Sequence, residues 1–169
     1  MNKRALEQLA SMLETKVEAK YFDLSGWVGN DDDFTTKPKY QMSQSAVQEK
    51  FSEVENVFLV PHACGTTCCA VGYAGLDEWF SSNGFRTDLY YGHVYFTPEG
   101  REGEVRYTGW DAVTTFFDIS ENKARMLFNS NHYVKGAGPS LVAERIREFI
   151  AKDGDIHYDY VDDEEEEEE

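Results

Sequence analysis

The chain has 169 residues, 41% of them apolar and 14% aromatic, which is enough for one domain with a buried core and excludes a wholly disordered chain. Its 32 acidic and 16 basic residues give a formal net charge of −16, which disfavours direct binding of nucleic acid. The sequence has no run of 18 apolar residues, no signal-peptide core and an odd number of cysteines. We therefore expect a cytoplasmic protein without a membrane span or a disulfide scaffold.

The N-terminal segment predicts an amphipathic helix over residues 3–19, with Asn2 as its N-cap. Five apolar residues recur there every three or four positions: Ala5, Leu6, Leu9, Met12 and Leu13. Residues 21–28 predict an extended segment, residues 29–39 a loop with three consecutive aspartates, and residues 43–54 a short helix.

The most unusual motif spans residues 62–74, with the sequence HACGTTCCAVGYA. We expect a helix over residues 66–80, whose small residues allow another backbone to approach closely, and a left-handed Gly84 at its end. The simplest interpretation makes the three cysteines small buried residues at a tight helix entry.

Two functional alternatives remain open for this motif. Cys64, next to a helix start and with His62 or His93 as base, is a candidate nucleophile, although no acidic partner completes a triad. A metal site would need His62, Cys64, Cys68 and Cys69, but adjacent cysteines on a helix point in different directions. The sequence has no P-loop, Rossmann or nucleophile-elbow signature. It therefore favours a non-enzymatic protein without a cofactor or a bound metal.

The middle of the chain predicts a β-hairpin with strands at residues 89–96 and 104–107 and a long loop containing Pro98. Its exposed aromatic residues are candidates for a protein interface: Tyr90, Tyr91 and Tyr95. Three arginines beside the hairpin are candidate phosphate contacts for a signalling nucleotide: Arg86, Arg101 and Arg106.

Three helices are predicted in the C-terminal half. The first begins at Trp110, and Ser120 caps the second, so the pair has the spacing of a helix-turn-helix. Because the charge opposes DNA binding, we expect a helical corner packed on the core. The third helix has Pro139 in its first turn, a buried stripe of Val142, Ile146, Phe149 and Ile150, and Gly154 as its stop.

The last 17 residues contain 11 acidic residues and no lysine or arginine, whereas residues 1–152 carry a net charge of only −5. We therefore expect a globular domain at residues 1–152 and an acidic tail at 153–169, disordered beyond Val161. The tail can act as a solubility appendage, imitate a run of phosphates for a basic partner, or fold back over its own domain. Its candidate binding residues are the six terminal glutamates: Glu164, Glu165, Glu166, Glu167, Glu168 and Glu169.

The pattern C-G-T-x-x-C-A-x-G-x-A, together with several other segments, resembles a small group of uncharacterised phage and bacterial proteins. This resemblance implies a phage-type origin and no assigned activity. The matching positions are Phe22–Leu24, Trp27, Cys64–Thr66, Cys69, Ala70, Gly72, Ala74, Phe116–Ile119, Leu127, Phe128 and Val142–Ile150.

Taken together, these observations predict an α+β domain, mainly helical, with a small β-hairpin. The expected function is binding of a host protein with a basic surface, as a phage-type accessory protein with an anti-defence or nucleic-acid-mimicking role. The alternative is a small-molecule site, either a sponge for a signalling nucleotide or a Cys64-dependent enzyme.

Overall fold

The computed structural model describes residues 1–24, 69–88, 93–101 and 105–158. The predicted loop at 29–39 and helix at 43–54 lie outside these residues. The described elements are α1 (Lys3–Thr15), a 3₁₀ turn (Ala19–Tyr21), α2 (Ala70–Ala74), α3 (Glu78–Ser82), β1 (Phe85–Asp88), β2 (His93–Phe96), β3 (Tyr107–Thr108), α4 (Gly109–Phe117), α5 (Glu121–Phe128), a second 3₁₀ turn (Ser130–His132) and α6 (Pro139–Ala151).

Helix α1 forms as predicted, but it ends at Thr15 instead of residue 19. The Asn2 side chain accepts a hydrogen bond from the Ala5 amide at 3.1 Å and donates one to the Phe116 carbonyl at 3.1 Å. The apolar stripe of α1 is buried, and the helix packs along α6. The prediction of an extended segment from residue 21 was wrong for Tyr21, which closes a 3₁₀ turn.

The single helix predicted over residues 66–80 was wrong. The described part contains two five-residue helices, α2 and α3, separated by Gly75, Leu76 and Asp77. Asp77 begins the second helix because its side chain accepts a hydrogen bond from the Trp79 amide at 2.9 Å. Gly84 then takes the predicted left-handed conformation, with φ of +84°.

A three-stranded antiparallel sheet follows, in the order β1-β2-β3. Strand β1 was not predicted, and β3 has only two residues, whereas a four-residue strand was expected. The register places Arg86 opposite Tyr95, Asp88 opposite His93, and Tyr95 opposite Thr108. Because side chains alternate along a strand, these five residues share one face of the sheet, which we call the outer face.

The inner face of the sheet packs on an aromatic core. Phe85 and Val94 are fully buried beneath β1 and β2. The Phe85 ring centroid lies 4.9 Å from that of Phe116, which in turn lies 5.2 Å from Phe117 and 5.8 Å from Phe80. Edge-on and tilted ring pairs of this kind stabilise a core beyond the area that they bury.

The C-terminal helices confirm their predictions. Ser120 caps α5 by accepting a hydrogen bond from the Lys123 amide, and the preceding Asp118 turns the corner in a left-handed conformation with φ of 51°. Pro139 occupies the first turn of α6, and Gly154, with φ of 79°, follows its end. Of the predicted stripe, Val142, Ile146 and Phe149 are buried and Ile150 is half-buried.

The fold is therefore a single α+β domain, mainly helical, with a small antiparallel sheet, as predicted. No helix within the described ranges is long and apolar enough to cross a membrane.

Candidate functional site

The small residues of the central motif form a close junction between α2 and β1. The Thr87 hydroxyl donates to the Gly72 carbonyl at 2.6 Å, and the Thr87 amide donates to the Gly75 carbonyl at 3.1 Å. A Cβ atom at Gly75 would lie only 2.4 Å from the Thr87 nitrogen. Another backbone, that of β1, does approach closely, but the described close contact is at Gly75, which follows the motif and was not among the small residues for which the approach was predicted.

Cys69 lies at the start of α2 and is a buried, structural residue. Its side chain is 3% exposed, and burial raises the pKa of its thiol to about 11, so the reactive thiolate is scarce at neutral pH. This outcome fits the structural interpretation for Cys69. The other residues of the proposed nucleophile and metal sites, His62, Cys64 and Cys68, lie outside the described residues.

The outer face of the sheet brings together three of the predicted site residues. The Arg106 guanidinium lies over the Tyr95 ring, with its Cζ 3.9 Å from the ring centroid, and its Nη2 lies 3.4 Å from the Asp88 carboxylate. Arg86 sits across from Tyr95 in the strand register. Tyr95 is therefore flanked by one arginine from each side of β2.

A cleft of about 560 Å³ opens beside this group. It lies between the end of α3 and the outer face, and the described residues that line it are Ser81, Ser82, Asn83, Gly84, Arg86, Tyr95, Thr97 and Glu99. Arg101 is exposed on the following loop and does not line the cleft. Tyr90 and Tyr91 lie outside the described residues, so their predicted part in an interface stays a prediction.

A second feature is the segment between Asp153 and Tyr158, which we call the C-terminal anchor. Although residues 153–169 were expected to form a separate tail, Ile156 is only 9% exposed and its carbonyl accepts a hydrogen bond from Lys123 Nζ at 2.8 Å. The Tyr158 hydroxyl donates to the Glu148 carboxylate at 2.6 Å, and the Tyr158 carbonyl lies 3.1 Å from His132 Nδ1.

One arginine holds this anchor against the body. The Arg145 guanidinium lies between two tyrosine rings, 3.9 Å from the centroid of Tyr133 and 4.2 Å from that of Tyr158, and it donates to the His132 carbonyl. Burial, followed by the hydrogen bond to Glu148, raises the pKa of the Tyr158 hydroxyl, so Tyr158 stays neutral and donates to that carboxylate. Stacked cation–π contacts are strongest where water is excluded.

Sequence reasoning missed the anchor and most of the cleft. The signal for the anchor was present, since Ile156 and Tyr158 are apolar or aromatic residues that follow the helix stop at Gly154. The cleft gave no such signal, because Ser81, Thr97 and Glu99 come from segments that meet only in the folded chain. The six predicted glutamates at 164–169 lie outside the described residues.

Comparisons with protein-family models, with curated proteins and with solved structures find no match for this chain. Among the described residues, no group of three histidine, cysteine or acidic side chains is arranged to hold a metal ion.

Proposed function

We propose that this protein is a non-enzymatic accessory protein that binds a partner with a basic surface through its acidic C-terminal segment. The observation that carries the proposal is the C-terminal anchor, which fixes the chain at Tyr158. Residues 159–169 follow directly, and nine of these eleven residues are acidic while none is basic. A concentrated negative segment thus starts at a defined point on a folded domain.

The charge of this segment defines the chemistry of the partner. Carboxylates at high local density attract lysine and arginine side chains, raise the rate of encounter and discriminate against acidic surfaces. Attachment to a fixed point limits the orientations from which a partner can be reached. The body can then add contacts of its own, which raises the affinity above that of a free acidic peptide.

The resemblance stated above supports a phage-type origin. On this proposal the partner is a host protein, such as a defence protein or one that normally handles nucleic acid, and the binding takes place in the cytoplasm of the host cell. A run of carboxylates imitates the charge of a phosphate backbone, so a basic groove that binds nucleic acid is a suitable target.

The structure shows at which residue a truncated chain must end in order to test the tail. A chain ending at Lys152 would lose the buried Ile156 and the Tyr158 contacts, so a loss of binding could reflect damage to the body. A chain ending at Tyr158 removes the acidic run and leaves those contacts in place. We expect this shorter chain to melt within about 2 °C of the full chain, because it keeps every contact that the structure describes for the body.

The experiment is capture of partners from a bacterial lysate with three baits: the full chain, the chain ending at Tyr158, and a full chain in which Glu164–Glu169 are changed to glutamine. We expect the full chain to retain a partner that both variants lose. Capture of the same proteins by all three baits would refute the role of the tail, and capture of nothing by the full chain would refute binding.

A further inference from the structure

We propose that the cleft beside the outer face binds a ribose phosphate, either free or as part of a mononucleotide, with Arg86 holding its phosphate and Glu99 accepting hydrogen bonds from its ribose hydroxyls. The cleft volume of about 560 Å³ falls in the range of small-molecule sites. This inference does not depend on the acidic tail, since none of the described residues that line the cleft belongs to the C-terminal segment.

Two lining residues of the cleft, Gly84 and Thr97, are joined through their backbones. The Gly84 carbonyl accepts a hydrogen bond from the Thr97 amide at 3.0 Å, which closes the end of the β1–β2 pair. The positive φ of Gly84 and the short distance of 2.1 Å from its would-be Cβ to the Thr97 carbonyl oxygen exclude any side chain there. At Gly84 the cleft is therefore lined by backbone, and the other described lining residues are mostly polar.

Arg86 supplies the donors for an anionic group. Its Nε donates to the Ser81 carbonyl at 3.3 Å, which orients the guanidinium at the end of α3. Among the described residues, its two terminal nitrogens carry no hydrogen bond, so four N–H groups remain for a ligand. A guanidinium presents these donors in a planar fork that matches two phosphate oxygens.

Arg106 differs from Arg86, because it is already paired with Asp88 and stacked on Tyr95. Arg106 is also absent from the lining of the cleft, whereas Arg86 belongs to it. Arg86 is thus the group that contacts the phosphate.

The remaining lining favours a ligand that carries hydroxyl groups as well as a phosphate. Glu99 is exposed at the rim, where a carboxylate can accept hydrogen bonds from two neighbouring hydroxyls of a sugar. The hydroxyls of Ser82 and Thr97 can donate or accept between the two charged groups. Inorganic phosphate could accept hydrogen bonds from Arg86 but would be repelled by Glu99. A ribose phosphate could accept from Arg86 through its phosphate and donate to Glu99 through its hydroxyls.

The test is calorimetric titration of the full chain with adenosine 5′-monophosphate, ribose 5-phosphate, adenosine and inorganic phosphate. We expect ribose 5-phosphate and the monophosphate to bind and the other two ligands to bind more weakly. Absence of saturable binding up to about 5 mM monophosphate would overturn the proposal. So would inorganic phosphate or adenosine binding as tightly as the monophosphate.

Two variants and a matched control locate the site. Arg86→Gln is expected to weaken monophosphate binding about 10- to 100-fold, the range for losing charged hydrogen bonds. Arg101→Gln removes the same charge outside the cleft and is expected to change the affinity less than about 3-fold. Equal effects of the two changes would overturn the assignment.

Glu99→Gln provides an independent check on an exposed residue, should Arg86→Gln fail to fold. It is expected to weaken the binding of ribose 5-phosphate and of the monophosphate while leaving or strengthening that of inorganic phosphate. An unchanged affinity for both sugar phosphates would contradict the assignment of the ribose to this rim.

Discussion

Substitution of Gly75 by alanine tests the junction between α2 and β1. The added Cβ would lie 2.2 Å from the Thr87 hydroxyl, 2.4 Å from the Thr87 nitrogen and 2.5 Å from the Arg86 carbonyl carbon. Two of these three atoms belong to the backbone, so no rotamer change can relieve the overlap. A normal contact requires a separation of about 3.5 Å, so the two segments must move apart by about 1 Å.

That movement has a cost that can be worked out from the contacts at the junction. It stretches the hydrogen bonds from Thr87 to the Gly72 and Gly75 carbonyls, which are 2.6 and 3.1 Å long. Each lost bond costs about 1 kcal/mol, and overpacking adds about 1–3 kcal/mol. We therefore expect Gly75→Ala to lower the free energy of unfolding by about 3–5 kcal/mol, or the melting temperature by roughly 6–20 °C.

The assay is thermal and urea denaturation followed by circular dichroism, with Gly138→Ala as the matched control. An alanine Cβ at Gly138 meets only the Ala19 Cβ at 3.9 Å, an ordinary contact, so its effect should stay within about 1 kcal/mol. If the two variants melt at the same temperature, the close junction does not hold the sheet to the helices, and the account of the small-residue motif fails.

Three further outcomes are expected. Lys16→Met leaves the buried Asp77 carboxylate without the cation that lies 2.6 Å from it, and because the lysine itself is half-exposed we expect the fold to be destabilised by about 1–3 kcal/mol in urea denaturation; a loss under about 0.3 kcal/mol would contradict a stabilising ion pair. Cys69 should react with iodoacetamide far more slowly in the native protein than in urea, as peptide mass spectrometry would show, and equal rates would contradict its burial. The hydrogen bonds from Arg147 lower the pKa of Glu14 below its ordinary value of 4.5. The ion pair therefore stabilises the fold above that pH, and this stabilisation is lost as the pH falls through the lowered pKa. Glu14→Gln should therefore flatten the acid side of a plot of stability against pH, and an unaltered slope would contradict the pair.

The helices were largely predictable because their signals are local. The periodic stripe of α1, the caps Asn2 and Ser120, and the stop at Gly154 are each contained within a few neighbouring residues. The break between α2 and α3 also had a local signal, since Asp77 followed by Glu78 is a typical helix start. The run of small residues before it nevertheless led to the prediction of one continuous helix over residues 66–80.

The sheet and the binding features depend on distant contacts. Strand β1 has only four residues and is fixed by pairing with β2 and by the backbone of Gly75, which no local pattern reveals. The predicted residues Arg86, Tyr95 and Arg106 do meet on one face, because Arg86 pairs with Tyr95 across β1 and β2 and Arg106, which directly precedes β3, lies over the Tyr95 ring. Arg101 is separated from the cleft by the turn that follows Thr97, and the expected boundary at residue 152 missed the packing of Ile156 and Tyr158.

The most direct test of the proposed function is the affinity of the captured partner for the full chain and for the chain ending at Tyr158, each measured at low and at high salt. The proposal predicts that the full chain binds more tightly at about 0.05 M salt and that its advantage shrinks at about 0.5 M, because salt screens exposed charges. Equal affinities of the two chains at low salt, or an advantage of the full chain that salt does not alter, would contradict binding through the acidic segment.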